Sequence, residues 1–271
     1  EKVKEHLMKI SLIQLEACPT PTTNPYQAVE ILFEQVADSE QGIGDVVLLP
    51  ELWNMPLATS QPENYADLNG EKTKALLSQL AIKYRVNIVG GSIIEQRGNR
   101  YYNTAHVYNR EGNLITSYDK VHLYHPQDES EAMTAGDELC VFELEGIKCG
   151  LIICYDLDFG EWVRKLALAG IQLLFIPAAW PKAFIHHLEV LLKARALENQ
   201  IFTICANQFT RELSDGPGVT GGHSQIVDPL TNVQFMLKDE QSFSTFEIRP
   251  QMIEEVKASF DFYRDRRPEL Y

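Results

Sequence analysis

The 271-residue chain is 45% hydrophobic and 23% charged, enough apolar content to bury one substantial core, and its length alone does not require two domains. Its formal charge of −14 is opposite to the Lys- and Arg-rich footprint that neutralises a phosphate backbone, so nucleic acid is not an expected partner. An acidic surface also repels anionic small molecules at long range unless a local cationic pocket overrides it.

Residues 1 to 7 lack the apolar run of a secretory signal and read as a mobile lead-in. Met8 to Leu15 is the first buried strand. Asn24-Pro25 couples an N-cap residue to proline at the first helical position, opening a helix through about Ala37. Val46-Val47-Leu48-Leu49 is a short apolar strand ending at Pro50-Glu51. Apolar side chains at Leu76, Leu77, Leu80, Ala81 and Tyr84 carry the helical period over residues 71 to 84, and Val86 to Gly91 is the next strand. Strands over about 101 to 109 and 114 to 118 flank the turn residues Arg110-Glu111-Gly112-Asn113, and Cys140 to Leu144 and Ile147 to Ile153 flank Glu145-Gly146 in a second hairpin. A helix over about 161 to 169 is capped by Gly170, and the strand Ile171 to Ile176 stops at Pro177. The longest apolar stretch, Leu166 to Trp180, is too short to span a bilayer and is broken by Gly170, Gln172 and Pro177. A helix over 184 to 199 and strands near 201 to 206, 223 to 228, 233 to 237 and 242 to 248 follow. Residues 259 to 271 form an aromatic and charged tail without a regular period. No repeat or linker divides the chain, so residues 8 to 258 are expected to form a single domain. Strands interleaved with helices, some joined by hairpins, indicate the α/β class.

Five cysteines, Cys18, Cys140, Cys149, Cys154 and Cys205, are odd in number and irregularly spaced, with no CxxC. That usage argues against a disulfide framework or a zinc ribbon and fits a reducing cytoplasm. Three polar residues follow apolar strands directly, where side chains emerge from a rigid sheet: Glu51 after VVLLP, Lys120 after ITSYD, and Cys154 after GLII. Each also has a plain reading. A cysteine closing LIIC is more often a small buried hydrophobe, Glu51 can cap the following segment, and Lys120 can be a strand-end charge. His122, His125, His186 and His187 lack the spacings and accompanying carboxylates of a metal site. The helix carrying His186-His187, Arg195, Glu198 and Asn199 reads as polar packing or a subunit contact. Gly42-Ile43-Gly44 lacks the third glycine of a nucleotide fingerprint and reads as a tight turn.

Local sequence favours the catalytic reading of the three. LLPELWN around Glu51, YDKVHLY around Lys120 and ICYDLDFGE around Cys154, in that order and at these separations, resemble the nitrilase superfamily of carbon–nitrogen hydrolases. The resemblance runs nearly end to end, through GGSI at Gly90 to Ile93, YNTA at Tyr102 to Ala105, TAGD at Thr134 to Asp137, RALEN at Arg195 to Asn199 and GHS at Gly222 to Ser224. It implies a four-layer α-β-β-α sandwich, a Glu-Lys-Cys catalytic set, no metal and no organic cofactor. The family's second glutamate stands a short distance before the TAG turn, which selects Glu129, with Glu131 the competitor. In the implied scheme Glu51 takes the Cys154 proton, Lys120 and the Tyr155 backbone N–H hold the oxyanion, and Glu129 orients Lys120. Tyr124, Asp158, Phe159 and Trp180 are the expected substrate-facing residues.

YDKVHLY, AAWP at Ala178 to Pro181 and RALEN resemble the ω-amidase branch, which implies hydrolysis of a primary amide on a small linear molecule. A carbamoyl-amine hydrolase is the nearest alternative, and a catalytically silent binding protein is the alternative from another class. The resemblance thins at CYDLDFGE, where many amidase branches read CYDLRFPE: Asp158 and Gly160 stand in place of arginine and proline. Asp158 reads either as a charge facing the cleft or as a solvated or subunit-facing one. A homodimer or larger assembly is also expected, with the helices at 161 to 169 and 184 to 199 as contact surfaces and the tail crossing or bracing them.

Overall fold

The computed structural model of the chain describes residues 7–17, 24–55, 61–210, 219–238, 240 and 242–270. In chain order its first half runs β1 (Met8–Gln14), α1 (Pro25–Ala37), β2 (Val46–Leu48), β3 (Asp67–Leu68), α2 (Glu71–Tyr84), β4 (Asn87–Arg97), β5 (Arg100–Tyr108), β6 (Leu114–Asp119) and the short α3 (Glu129–Ala132). The second half runs β7 (Cys140–Leu144), β8 (Ile147–Leu151), α4 (Gly160–Leu168), β9 (Leu173–Ala178), α5 (Ile185–Asn199), β10 (Phe202–Asn207), β11 (Gln225–Val227), β12 (Val233–Met236), β13 (Ser242–Ile248) and α6 (Met252–Ser259).

The strands form two mixed sheets. One has the order β13-β1-β2-β4-β5-β6, with β3 added to the far end of β4, and the other has the order β12-β11-β10-β9-β8-β7. Each has a parallel centre, β1-β2-β4 or β8-β9-β10, flanked by antiparallel strands. The period-2 alternation of a strand assigns the layers. Ile10, Leu12, Val46, Leu48 and Val89 pack into one core with Cys149, Leu151 and Leu173 of the second sheet, whereas Ile13, Val47 and Ile88 point the other way, onto Val29, Phe33 and Leu77 of α1 and α2. Val163 and Leu166 of α4 and Leu188 and Leu192 of α5 cover the far side of the second sheet. The result is the four-layer α-β-β-α sandwich that the resemblance implies.

Local chemistry sets the element ends where the sequence places them. The Asn24 side chain accepts the N–H groups of Tyr26 at 3.1 Å and Gln27 at 3.4 Å, so α1 starts at Pro25. Several segments differ from expectation: Pro177, expected to stop its strand, lies inside β9 and pairs with Ala206 of β10, and the short β3 and α3 had no expected counterpart. The strand expected to end at Gly91 continues to Arg97, because Gly90 and Gly91 form a bulge between the Val89–Val107 and Ser92–Ala105 pairs. Gly91 has φ +64°, and a Cβ there would run into the Pro50 carbonyl. Glycine therefore lets the turn after β2 lie against β4, where Ser92 N–H donates to Pro50 O at 3.1 Å and Trp53 Nε1 donates to Gly90 O at 2.8 Å.

Helix α6 was not expected: it buries only Ile253 and Val256, too few positions to show a period. The segment after it docks on α5, with Tyr263 Oη donating to Asn199 O at 2.9 Å and Gln200 Nε2 to Phe260 O at 2.7 Å. Of the expected lead-in, Leu7 alone lies within the described residues, and Cys18 lies outside them. Among the described residues, no helix is long and apolar enough to cross a membrane.

Candidate active site

The three strand-end residues meet where the two sheets face each other. Glu51 follows β2 in a turn whose next residue, Leu52, has φ +47°. Its backbone is held by the second sheet: Glu51 N–H donates to Ala178 O at 3.3 Å and Gln208 Nε2 donates to Glu51 O at 2.6 Å. Lys120 follows β6 and is pinned on both sides, its N–H donating to Asn103 O and its carbonyl accepting from Gly136 N–H, both at 2.9 Å. Cys154 follows β8 through Ile152 and Ile153 and opens a 3-10 turn ending at Asp158. Its φ of +45° is a left-handed conformation uncommon for a residue with a side chain, of the kind that concentrates at functional sites.

Lys120 Nζ stands 2.8 Å from Glu51 Oε1 and 2.8 Å from Glu129 Oε2. Asn103 Nδ2 lies 2.9 Å from Glu51 Oε1 and 2.9 Å from Glu129 Oε1, so one amide and one ammonium link both carboxylates. Backbone donors complete the carboxylates: Ala179 N–H on Glu51 Oε2 at 2.9 Å and Tyr124 N–H on Glu129 Oε2 at 2.6 Å. Glu51 and Lys120 are each 2% exposed, Cys154 8% and Glu129 9%. Unpaired charges buried this deeply would be very costly, and here each has a charged partner and further hydrogen bonds. Glu131, the alternative second glutamate, is exposed.

Burial alone would raise the Glu129 carboxyl, but the Lys120 cation, Asn103 and the Tyr124 N–H outweigh it and hold the group below the usual carboxylate range. Burial works against the Lys120 cation, yet the two glutamates and Cys154 hold its pKa well above that of a free lysine. Burial pushes the Cys154 thiol well up and the Glu51 carboxylate adds to this, with Lys120 and the Ala179 N–H opposing. The resting thiol therefore keeps its proton, beside a carboxylate that can receive it.

A cavity of about 260 Å³ opens over this set, lined among others by Tyr124, Tyr155, Asp158, Trp180 and His187. That is below the usual volume of a drug-sized pocket and suits a small molecule. Tyr124 meets Tyr155 edge to face at 5.0 Å, and Trp180 Nε1 donates to Phe184 O at 3.0 Å, fixing the indole. Phe159 is not on this wall; its ring stacks on His122 at 3.8 Å. His187, read in the sequence as polar packing or a subunit contact, lines the cavity.

Two structural residues lie inside motifs whose importance was legible, although their roles were not. Asn103 belongs to YNTA. Asp156, fully buried, accepts from Ile153 N–H at 3.0 Å, His122 N–H at 2.8 Å and Tyr118 Oη at 2.7 Å, with His122 Nδ1 also at 2.7 Å. It ties the turn carrying Cys154 to the segment on either side of Lys120. Cys140, Cys149 and Cys205 are buried free thiols, and burial pushes that of Cys140 up to about 12. Among the described residues, no group of three or more His, Cys, Asp or Glu side chains is arranged to hold a metal ion.

Comparison with known proteins accords with this geometry. A family model described as Carbon-nitrogen hydrolase matches residues 9–258. The 2-oxoglutaramate amidase of Bacillus subtilis (strain 168) is 36% identical over 234 residues, 86% of this chain and 89% of its own. Omega-amidase NIT2-A of Xenopus laevis is 34% identical over 272 residues, 97% of this chain and 96% of its own. The crystal structure of Saccharomyces cerevisiae Nit3, a member of branch 10 of the nitrilase superfamily, superposes with a TM-score of 0.85 at 28% identity, covering 96% of this chain and 97% of that one. The chain belongs to the carbon–nitrogen hydrolase family of the nitrilase superfamily, hydrolases that act on carbon–nitrogen bonds.

Proposed function

We propose that the protein hydrolyses a primary amide on a small linear molecule to a carboxylate and ammonia, in the manner of an ω-amidase, through a thioester on Cys154. The observation that carries this reading is the buried Glu51–Lys120–Glu129 set, with both ion-pair contacts at 2.8 Å, sharing one small cavity with Cys154. Because the thiol is neutral at rest, its proton passes to Glu51 as the sulfur attacks the amide carbon. The carbonyl π pair moves onto oxygen, where the Lys120 ammonium and the Tyr155 backbone N–H stabilise the negative charge. When the tetrahedral adduct collapses, the carbon–nitrogen bond breaks and the leaving nitrogen takes the proton from Glu51, departing as ammonia. A water then attacks the thioester, giving one proton to Glu51. The C–S bond breaks, and that proton returns to sulfur. Glu129 and Asn103 take no proton in this scheme; they keep Lys120 charged and aimed.

Ammonia release across a panel of small linear amides tests the proposal. Butyramide and longer relatives are expected to yield ammonia and carboxylate one to one, in a reaction lost with Cys154→Ala. Ammonia accompanied by carbon dioxide from a carbamoyl amine, with no turnover of simple amides, would instead favour a carbamoyl-amine hydrolase.

We further propose a cytoplasmic homodimer or larger assembly. Among the described residues, the buried free thiols of Cys140, Cys149, Cys154 and Cys205 support the compartment. The assembly is supported by exposed Leu168, Val190 and Leu197 on α4 and α5, and by exposed Phe260 and Phe262 of the C-terminal segment, which docks on Gln200 at the end of α5. Light scattering should give at least twice the 30.8 kDa of one chain. A single-chain mass with full activity would overturn it.

A further inference from the structure

Asp158 ends the turn that Cys154 begins, and it stands on the wall of the same cavity with Tyr124 and His187. The neighbouring Arg195 is committed elsewhere: Nε donates to Leu157 O at 3.0 Å, Nη2 to the backbone carbonyl of Asp158 at 2.9 Å, and Nη1 to Glu198 Oε1 at 3.0 Å. Gly160 gives this guanidinium room, since a Cβ there would stand 3.1 Å from Nη1. Arg195 thus braces the backbone of the turn, and among the described residues no Lys or Arg forms an ion pair with the Asp158 carboxylate. Partial burial accordingly raises the Asp158 carboxyl above its usual range, with Arg195 and His187 only partly opposing. Among the described lining residues Lys120 is the one Lys or Arg, and Glu51 and Glu129 both hold it.

Resting on the amide reading above, with the scissile amide at Cys154, we propose that Asp158 selects the charge on the far end of the substrate. An amide bearing an ammonium tail is preferred over an uncharged one, and both over an amide bearing a carboxylate tail. The tail is then where this chain departs from the B. subtilis relative, since 2-oxoglutaramate carries a carboxylate. At contact distance near a protein surface, one such charge pair corresponds to roughly ten-fold or more in relative affinity, and salt diminishes it.

The test compares kcat/KM for δ-aminovaleramide, hexanamide and glutaramate in the native protein and in Asp158→Asn, at low salt and at roughly 0.5 M salt. Each step of the native order is expected to be about ten-fold at low salt, and the order should collapse to within about three-fold in Asp158→Asn. Salt should compress the native ratios and leave those of the variant nearly unmoved. Ratios taken within one protein cancel any loss of folded enzyme. Glutaramate turned over as well as δ-aminovaleramide by the native protein, or ratios unchanged in Asp158→Asn, would overturn charge selection and leave the amidase reading standing. No Cys154-dependent ammonia from any of the three would overturn the amidase reading itself, and this proposal with it.

Discussion

Cys154→Ala is expected to abolish ammonia release while leaving the fold intact. Among the described residues Cys154 is the one thiol that shares a cavity with Glu51 and Lys120, and the substitution exchanges a small side chain for a smaller one. The lost sulfur borders space that is already open, so the cavity cost should fall near the low end for core truncations, about 1 kcal/mol. Alanine and cysteine both carry a Cβ, so the left-handed backbone at φ +45° is no more strained than before. Circular dichroism and a thermal melt should overlay those of the native protein, and mass spectrometry of the variant with an amide should show no acyl adduct. Hydrolysis at a near-native rate would remove Cys154 from the mechanism.

Glu51→Gln and Lys120→Ala should each lower turnover by about 10² to 10⁴ under saturating substrate, for different reasons. The glutamine keeps the shape and an acceptor but cannot take the thiol proton. The alanine removes the cation that would meet the oxyanion and strands two buried carboxylates, so it should also cost about 3–5 kcal/mol of stability at neutral pH. The pH dependence separates the effects. In the native protein the Glu129 carboxyl lies below its unfolded value, so its pairing stabilises the fold above that unfolded value and the benefit is lost as pH falls through the depressed folded one. Without Lys120, burial dominates and raises the same carboxyl, so acidification neutralises a stranded charge. The stability gap between native protein and variant should therefore narrow between about pH 7 and pH 4, and a constant gap in paired melts would contradict the assignment. Normal turnover in either variant would remove its residue from the proposed scheme.

Most strands and the longer helices were legible because their signals are local. Asn24-Pro25 both caps and starts α1, and residues 71 to 84 show one apolar face and fold over that span. Position along strands also pointed to Glu51, Lys120 and Cys154, and the structure brings the three together. What the sequence withheld depends on pairs far apart in the chain. Gly90-Gly91 reads as punctuation, and only contact with Pro50 makes it a bulge that seats the turn carrying Glu51. Asn103 opens the fully buried part of β5 like any buried polar residue, and its link between two carboxylates 52 and 26 positions away has no local signature. Phe159, expected to face the substrate, has its ring directed by the turn onto His122 instead. His187 enters the cavity from α5, a helix whose weak amphipathic pattern gave no reason to single it out.

Two carboxylates held by one ammonium leave a single net negative charge in the buried set while Cys154 is a neutral thiol. Passing a proton from sulfur to Glu51 leaves that count unchanged. So does each later step of the proposed scheme: the oxyanion is balanced by the proton on Glu51, and ammonia departs neutral with that proton. An enclosed site of low polarisability penalises any change in total charge far more than a redistribution at constant total. With an uncharged amide, the reaction from thiol to thioester can therefore run without drawing a proton or counterion from solvent, and the surrounding protein never has to accommodate a second excess charge.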